Sequence, residues 1–506
     1  MNRAFWSRVS GIKDFFFPIK SNEWGLFLPL ICMFFLISFC YSFLRTSKDI
    51  LVISRGGAEI LSALKLYCVL PSALLYTSYY AVLCDRLPRF YIYYFALLPF
   101  LVYYALFYFV FFPLQLWTTP EVIVGWLQYA GLPSGAIAAM RPMCAVIAYW
   151  PFSLYYVMAE LWGSAGMSLL FWGFTNSLVS FSQAKRIYAL LGIGANLGLM
   201  ATGPYIHQLA EWSGHNYAQM VEWLMLTFIL AVGCIAALYT YVESNYRQYR
   251  PFDPNGLSHP ERLSWFEAID LVIRSKHLLL IAVLVMSYGL SINLVEIVWK
   301  SQLTKYFLTS APDLNQGQAM MQKFSADTNM MTGIVSIFFI LFVSTHAERV
   351  FGWTVTALMT PVILLVMGIV FFAISFSMQY PESGLGIVFA IQSFADPLYL
   401  CVLVGALQNV LSKAAKYSLF DPTKEKAYFP LSDDERTKGK SAVDVLGARF
   451  GKAMGSFVQQ VIILFFGSLS AGFYLLGFVI IAACCAWIAS AVLLGRRLVA
   501  FEEQQN

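Results

Sequence analysis

Apolar runs of about twenty residues recur along this chain from one end to the other, which is the length a helix needs to cross the hydrocarbon core of a bilayer. Backbone polar groups cannot be left unpaired in lipid, so runs of this kind are read as helices that satisfy their own hydrogen bonds. They fall at about 25–45, 60–84, 90–112, 141–177, 185–210 and 218–242, then at about 276–307, 328–347, 353–376, 384–415, 440–467 and 470–495. The pattern predicts an all-α membrane protein with roughly twelve transmembrane helices. Composition agrees: 59% of the 506 residues are hydrophobic and 12% are charged, against about a quarter charged in soluble domains.

The widest polar gap, 243–275, contains YRQYRPFDPNGLSHPERL and reads as a cytoplasmic linker. It divides the chain into an N-terminal six-helix bundle, 25–242, and a C-terminal one, 276–495, flanked by short segments 1–24 and 496–506. The end of the linker, around 264–273, is amphipathic and suited to a membrane surface. Cytoplasmic loops carry an excess of Lys and Arg. Arg3, Arg8, Lys13 and Lys20 therefore place the N-terminus inside, and alternation then puts Arg86 and Arg89, Lys185 and Arg186, Arg247, Arg250 and Arg262, Arg349, the cluster from Lys413 to Lys440, and Arg496 with Arg497 on the same side. The segments 113–140, 211–217 and 377–383 carry no Lys or Arg. Both termini are expected in the cytoplasm of a bacterium, with the chain in its inner membrane.

Two places break the charge rule, and they are equivalent in the two halves. The first helix ends in Arg45, Lys48 and Arg55 on the outer side, and the seventh in Lys300 and Lys305. A weaker echo links SQAKRIYALLGIGAN (182–196) with the segment 423–455, each leading into a Gly-rich helix start. Parallel repetition of two six-helix halves is the architecture of the major facilitator fold.

A charge within a span costs about 2.5–3.5 kcal/mol on insertion scales, so it stays only if paired, snorkelling or facing a wet cavity. Glu160 lies deep in SLYYVMAELWGSAG and Glu296 in SINLVEIVWKSQL, with Lys300 one turn later. Arg449 and Lys452 share one helical face by their spacing. In a major-facilitator arrangement, helices one, four, seven and ten, with five and eleven, line a central cavity, so Lys48, Arg449 and Lys452 are expected to face it. A pocket with several cations suits a polyphosphate, because Arg offers phosphate a bidentate fork and Lys a point charge. Glu160 and Glu296 would hold these cations when the site is empty, or accept a proton or a ribose hydroxyl. Tyr156 and Trp162 are candidates to stack on a base, and Asn293 to hydrogen-bond one. Lys300, Asp49 and Asp444 are read either as site residues or as internal ion-pair partners. The alternative for Lys48 is snorkelling to the outer headgroups.

Other classes are disfavoured. A P-loop needs G-x-x-x-x-G-K-[ST]; GARFGKAMG (447–455) has one residue too few between its glycines and Ala after the Lys, and GKS at 439–441 lacks the upstream Gly. The nine cysteines show no metal-ligand or CxxC spacing. No metal, cofactor, nucleic acid or enzymatic reaction is expected.

Six collinear segments, FLRTSKDILVISRGGAEI, YVMAELWGSAGMSLLFWGF, AKRIYALLGIGANLGL, SINLVEIVWKSQL, LSKAAKYSLFDPTKEKAYFPL and KGKSAVDVLGARFGKAMGSFVQQ, resemble the ATP/ADP translocases, the nucleotide transporter family of chlamydiae, rickettsiae and plastids. The resemblance covers almost the whole chain. It implies exchange of external ATP for internal ADP and phosphate by a monomeric carrier, or proton-coupled import of other nucleoside triphosphates, or exchange of NAD for ADP. The family's functional charges fall by motif on Lys48, Glu160, Glu296 and Lys452. The segment GGAEILSALK departs from the family pattern, which commonly has a Pro after GAE, and AMGS stands where SGGS or SGGA is commoner.

Overall fold

The computed structural model describes residues 19, 23–179, 181–246, 265–379, 396–431, 443, 447–467 and 471–505. Among them the chain forms helices and short connections, with no strand. The principal helices are α1 (Trp24–Gly56), α2 (Ile60–Arg86), α3 (Phe90–Phe111), α4 (Pro120–Tyr129), α5 (Ser134–Ala148), α6 (Trp150–Asn176), α7 (Phe181–Trp212), α8 (Tyr217–Tyr246), α9 (Trp265–Arg274), α10 (Lys276–Ser310), α11 (Leu314–Ser344), α12 (Val350–Met378), α13 (Pro397–Ala427), α14 (Ala448–Phe466) and α15 (Phe473–Gln505).

Nine of the described helices are long and apolar enough to cross a membrane, and ten if the bent pair α5 and α6 counts as one span. Two more, α7 and α14, fall where the fifth and eleventh apolar runs lie in the sequence. The fourth run, expected as one helix over 141–177, is instead two helices bent by 83°. Tyr149 leaves helical geometry between them (φ −97°, ψ 38°). Pro151 supplies the reason, since proline is accommodated in the first turn of a new helix but not in a helix interior. Helices α4 and α5 also occupy most of the expected loop 113–140. Among the described residues, α2, α3, α6, α11 and α13 contain π-helical stretches, at Leu64–Val69, Phe107–Phe111, Ala165–Trp172, Phe339–Ser344 and Lys416–Phe420.

By packing, the chain divides into two units. One comprises Met1–Ser47, Ser72–Leu116 and Val157–Gly256; the other comprises Lys48–Pro71, Trp117–Tyr156 and Leu257–Asn506. In the first, helices approach closely over small residues: a Cβ on Gly198 would stand 2.7 Å from the Phe35 carbonyl oxygen of α1. Aromatic side chains fill the remaining space, with Phe34 stacked on Phe171 and Tyr93 on Tyr239, each at 4.0 Å between centroids. The buried Trp162 donates its indole N–H to the Ile37 carbonyl at 3.2 Å.

The second unit is organised around α10, the most deeply buried of the nine spans. Helix α13 packs on it through Gly405, where an added Cβ would sit 2.2 Å from the Trp299 ring, and Trp299 donates to the Val402 carbonyl at 2.9 Å. Helix α14 approaches α10 backbone to backbone at Gly451, whose Cβ would meet the Met286 carbonyl oxygen at 2.6 Å. Helix α11 buries a polar stripe, Gln318, Gln322, Ser325, Asn329, Thr332 and Ser336, spaced alternately four and three residues apart so that all lie on one face. Between membrane helices such groups act as hydrogen-bonding glue; Gln318 donates to Ser54 Oγ of α1 at 2.5 Å.

Candidate functional site

Five charged side chains of the second unit meet in one buried row. The Lys48 ammonium lies 2.8 Å from Asp49 Oδ1, and the Lys300 ammonium lies 2.8 Å from Asp49 Oδ2. Lys300 continues to Glu296 Oε2 at 3.6 Å, and Glu296 Oε1 pairs with the Lys413 ammonium at 2.8 Å. Positive and negative groups alternate, and each carboxylate divides its two oxygens between two lysines. Every member is buried, the most accessible being Glu296 at 9%. The Lys48 ammonium also stands over the fully buried Tyr156 ring, 3.8 Å from its centroid, where the ring's negative face attracts it.

The helices explain why these groups meet. Lys48 and Asp49 are adjacent near the end of α1. Glu296 and Lys300 are one turn apart on α10 and share a face. Lys413 lies on α13 in the turn before its π-helical stretch. Burying five charges is costly, and it is offset only because each finds a partner in good geometry. Three ammonium groups and two carboxylates make up the row, the carboxylates standing between the ammonium groups. The two exceptions to the charge rule thus converge: Lys48 and Lys300 share a single carboxylate.

A second polar group lies on the same α10 further toward its start. Asn293 Nδ2 donates to the Lys452 carbonyl at 2.9 Å and to Ser456 Oγ at 3.2 Å. Asn293 Oδ1 accepts from the Lys65 ammonium, which the π-helical stretch of α2 presents. Gln459 donates to the Asn293 carbonyl at 3.5 Å, and Gln460 donates to Ser62 Oγ at 2.6 Å. Gly455 leaves room for the Asn293 amide, since a Cβ there would lie 2.7 Å from Nδ2.

Of the residues singled out from sequence, Lys48, Tyr156 and Glu296 are brought into one row, and Asn293 lies on the same helix one turn before Glu296. Lys452 joins through its backbone, while its side chain is exposed. Glu160 is half-buried and belongs to the other packing unit. Arg449 lies in α14, with its side chain outside the described residues, and Asp444 lies outside them altogether. Lys413 corrects the sequence reading. The sequence groups it with the loop cations that end at Lys440, yet α13 carries it into the protein interior. The signal was the Asn409-x-x-x-Lys413 pattern inside an otherwise apolar helix. Lys65 had no comparable signal, standing near a span end where a lysine ordinarily reaches water.

The TLC ATP/ADP transporter family model matches residues 4–498. The chain belongs to this family. Among the transporter's relatives, ADP,ATP carrier protein 1 of Chlamydia muridarum is 40% identical over 505 residues, spanning 97% of this chain and 91% of that protein. The chloroplastic ADP,ATP carrier protein 1 of Arabidopsis thaliana is 36% identical, spanning 92% of this chain and 72% of that protein. ADP,ATP carrier protein 1 of Rickettsia bellii is 35% identical, spanning 91% and 90%. Among solved structures, a mutant form of the nucleoside transporter NupG superposes with a TM-score of 0.50 at 14% identity, covering 92% of this chain and 99% of that one. The transporter thus shares the helical fold of that solved transporter, and its family is one of carriers rather than enzymes.

Proposed function

We propose that this transporter takes up external ATP in exchange for internal ADP by alternating access of its two six-helix halves, 25–242 and 276–495. The observation that carries the reading is the buried row from Lys48 to Lys413, which gathers three lysine ammonium groups in one place. The lysines of such a row suit a cargo that is itself a chain of anionic groups. Lysine ammonium groups bind phosphate oxygens as point charges with three donors each. Lys48 and Lys452, with Arg449, neutralise the phosphates. Glu296, which pairs with Lys300 and Lys413, and Glu160 are the balancing anions when no cargo is present. Tyr156 and Asn293 bear on the base, and phosphate accompanies ADP outward. The protein works as a monomer in the inner membrane of an intracellular bacterium, with both termini in the cytoplasm.

Uptake of labelled ATP into a heterologous bacterium expressing the whole chain tests this. ATP entry should rise when the cells are loaded with ADP, and external ADP should release labelled internal nucleotide. Uptake that ignores internal ADP and collapses with an uncoupler would replace exchange by proton symport. Stimulation by NAD in place of ATP would make the cargo a dinucleotide. A chain that supports no counterflow with any nucleotide would be a membrane scaffold.

A further inference from the structure

The charge row contains more than the proposed exchange requires. Lys300, Lys413 and Asp49 are buried and paired, and nothing so far gives them a task. We propose that Asp49 and Glu296 are internal stand-ins for the cargo's phosphates, and that Lys300 and Lys413 are specificity-determining residues that take phosphate oxygens when those carboxylates are displaced. This rests on the nucleotide reading given above.

The geometry carries the proposal in three steps. First, each carboxylate bridges two ammonium groups through separate oxygens, as a phosphate group with several oxygens would. Asp49 joins Lys48 to Lys300, and Glu296 joins Lys300 to Lys413. Second, the lysines are buried and costly to leave unpaired, so an entering anion must replace one acceptor by another rather than strip it away. An ammonium on a four-carbon stem can turn from one acceptor to the next, which the rigid guanidinium fork does less well. Third, the row extends over three helices, α1, α10 and α13, so one phosphate group cannot reach all three lysines while a longer chain of them can. A monophosphate then exchanges with one carboxylate, and a triphosphate with both. The row reads phosphate number.

The experiment uses the whole chain in liposomes, with unlabelled ATP, ADP and AMP competing for exchange of labelled ATP. Lys413→Gln and Lys300→Gln should each weaken ATP by roughly tenfold or more, the worth of a hydrogen bond to a charged group. Both should weaken AMP much less. Lys413→Arg keeps the charge but not the freely turning ammonium, so its preference for longer phosphate chains should fall between those of Lys413→Gln and the unmodified chain. Asp49→Asn removes a competing anion and should tighten ATP while slowing its turnover. Equal losses for ATP and AMP, or weaker ATP binding in Asp49→Asn, would overturn the proposal while leaving the exchange reading intact. An unmodified chain that exchanges neither ATP nor ADP would remove both. A measurement independent of any variant is thermal unfolding of the unmodified chain in detergent. Inorganic tripolyphosphate, which has the phosphates and no base, should raise the melting temperature more than orthophosphate at equal ionic strength. Equal protection by the two anions counts against the proposal.

Discussion

Glu296 and Lys413 form an ion pair 2.8 Å long between α10 and α13, two helices that also meet closely at Gly405. Each is 8–9% exposed, so neither can exchange its partner for bulk water. Removing one charge should therefore cost more than removing both. Glu296→Ala is expected to destabilise the fold by about 3–5 kcal/mol, the usual cost of stranding a buried charge. The combined Glu296→Met and Lys413→Met variant should recover much of the loss. Thermal unfolding of the purified variants in detergent, arranged as a double-mutant cycle, measures the coupling.

Lys48 and Lys452 should separate binding from stability. Lys48 is 2% exposed and bound to Asp49 and the Tyr156 ring, whereas the Lys452 side chain is exposed and only its carbonyl is engaged by Asn293. Lys452→Gln should leave the melting temperature within a degree or two, about the effect of a surface change, yet weaken ATP more than AMP. Lys48→Gln should lower both. Competition binding beside a melting curve for each variant gives the comparison.

The sequence was legible where the membrane imposes a single demand. Span length follows from hydrocarbon thickness, and ten of the expected runs correspond to described spans, with α7 and α14 at the places of the other two. The Glu296 and Lys300 pair was legible because its i, i+4 spacing needs no tertiary information. Lys413 was not, because a lysine near the end of an apolar run looks like the start of a loop. Only the continuation of α13 to Ala427 shows otherwise. The bend at Tyr149 had a visible cause in Pro151, but an apolar run of over thirty residues hides a change of direction. The partners of Asn293 come from residues far apart in sequence, Lys65, Lys452 and Ser456, which no local spacing connects.

Gly405 and Gly451 mark positions where a methyl group has no room. At Gly405 a Cβ would stand 2.2 Å from the Trp299 ring and 2.9 Å from Phe371; at Gly451 it would meet the backbone of Met286. Alanine at either should cost about 1–3 kcal/mol, the range for overpacking. Trp299→Phe should partly rescue Gly405→Ala, since the smaller ring can withdraw. No side-chain change should rescue Gly451→Ala. Melting temperatures of the singles and the double decide it.

Gln408 predicts in the opposite direction. It is fully buried on α13, 3.4 Å from where a Cβ on Gly368 of α12 would lie, and neither end of its amide has a hydrogen-bond partner among the described residues. A buried amide left unpaired costs about 1–3 kcal/mol. Gln408→Leu keeps the volume and should hold or raise the melting temperature in detergent. A loss of several degrees would mean that the amide is bonded in the folded protein.

The indole of Trp299 fastens α10 to α13 through the Val402 carbonyl, one residue from Lys300. Glu296 and Lys413 sit on those same two helices and must travel together. Toward α1, Asp49 reaches Lys300, and Ser54 accepts from Gln318 of α11. The row thus joins three helices, and Asp49 is its link from α1 to Lys300. A shift of the α1 end would part Asp49 from Lys300 while sparing the Glu296 and Lys413 pair behind it.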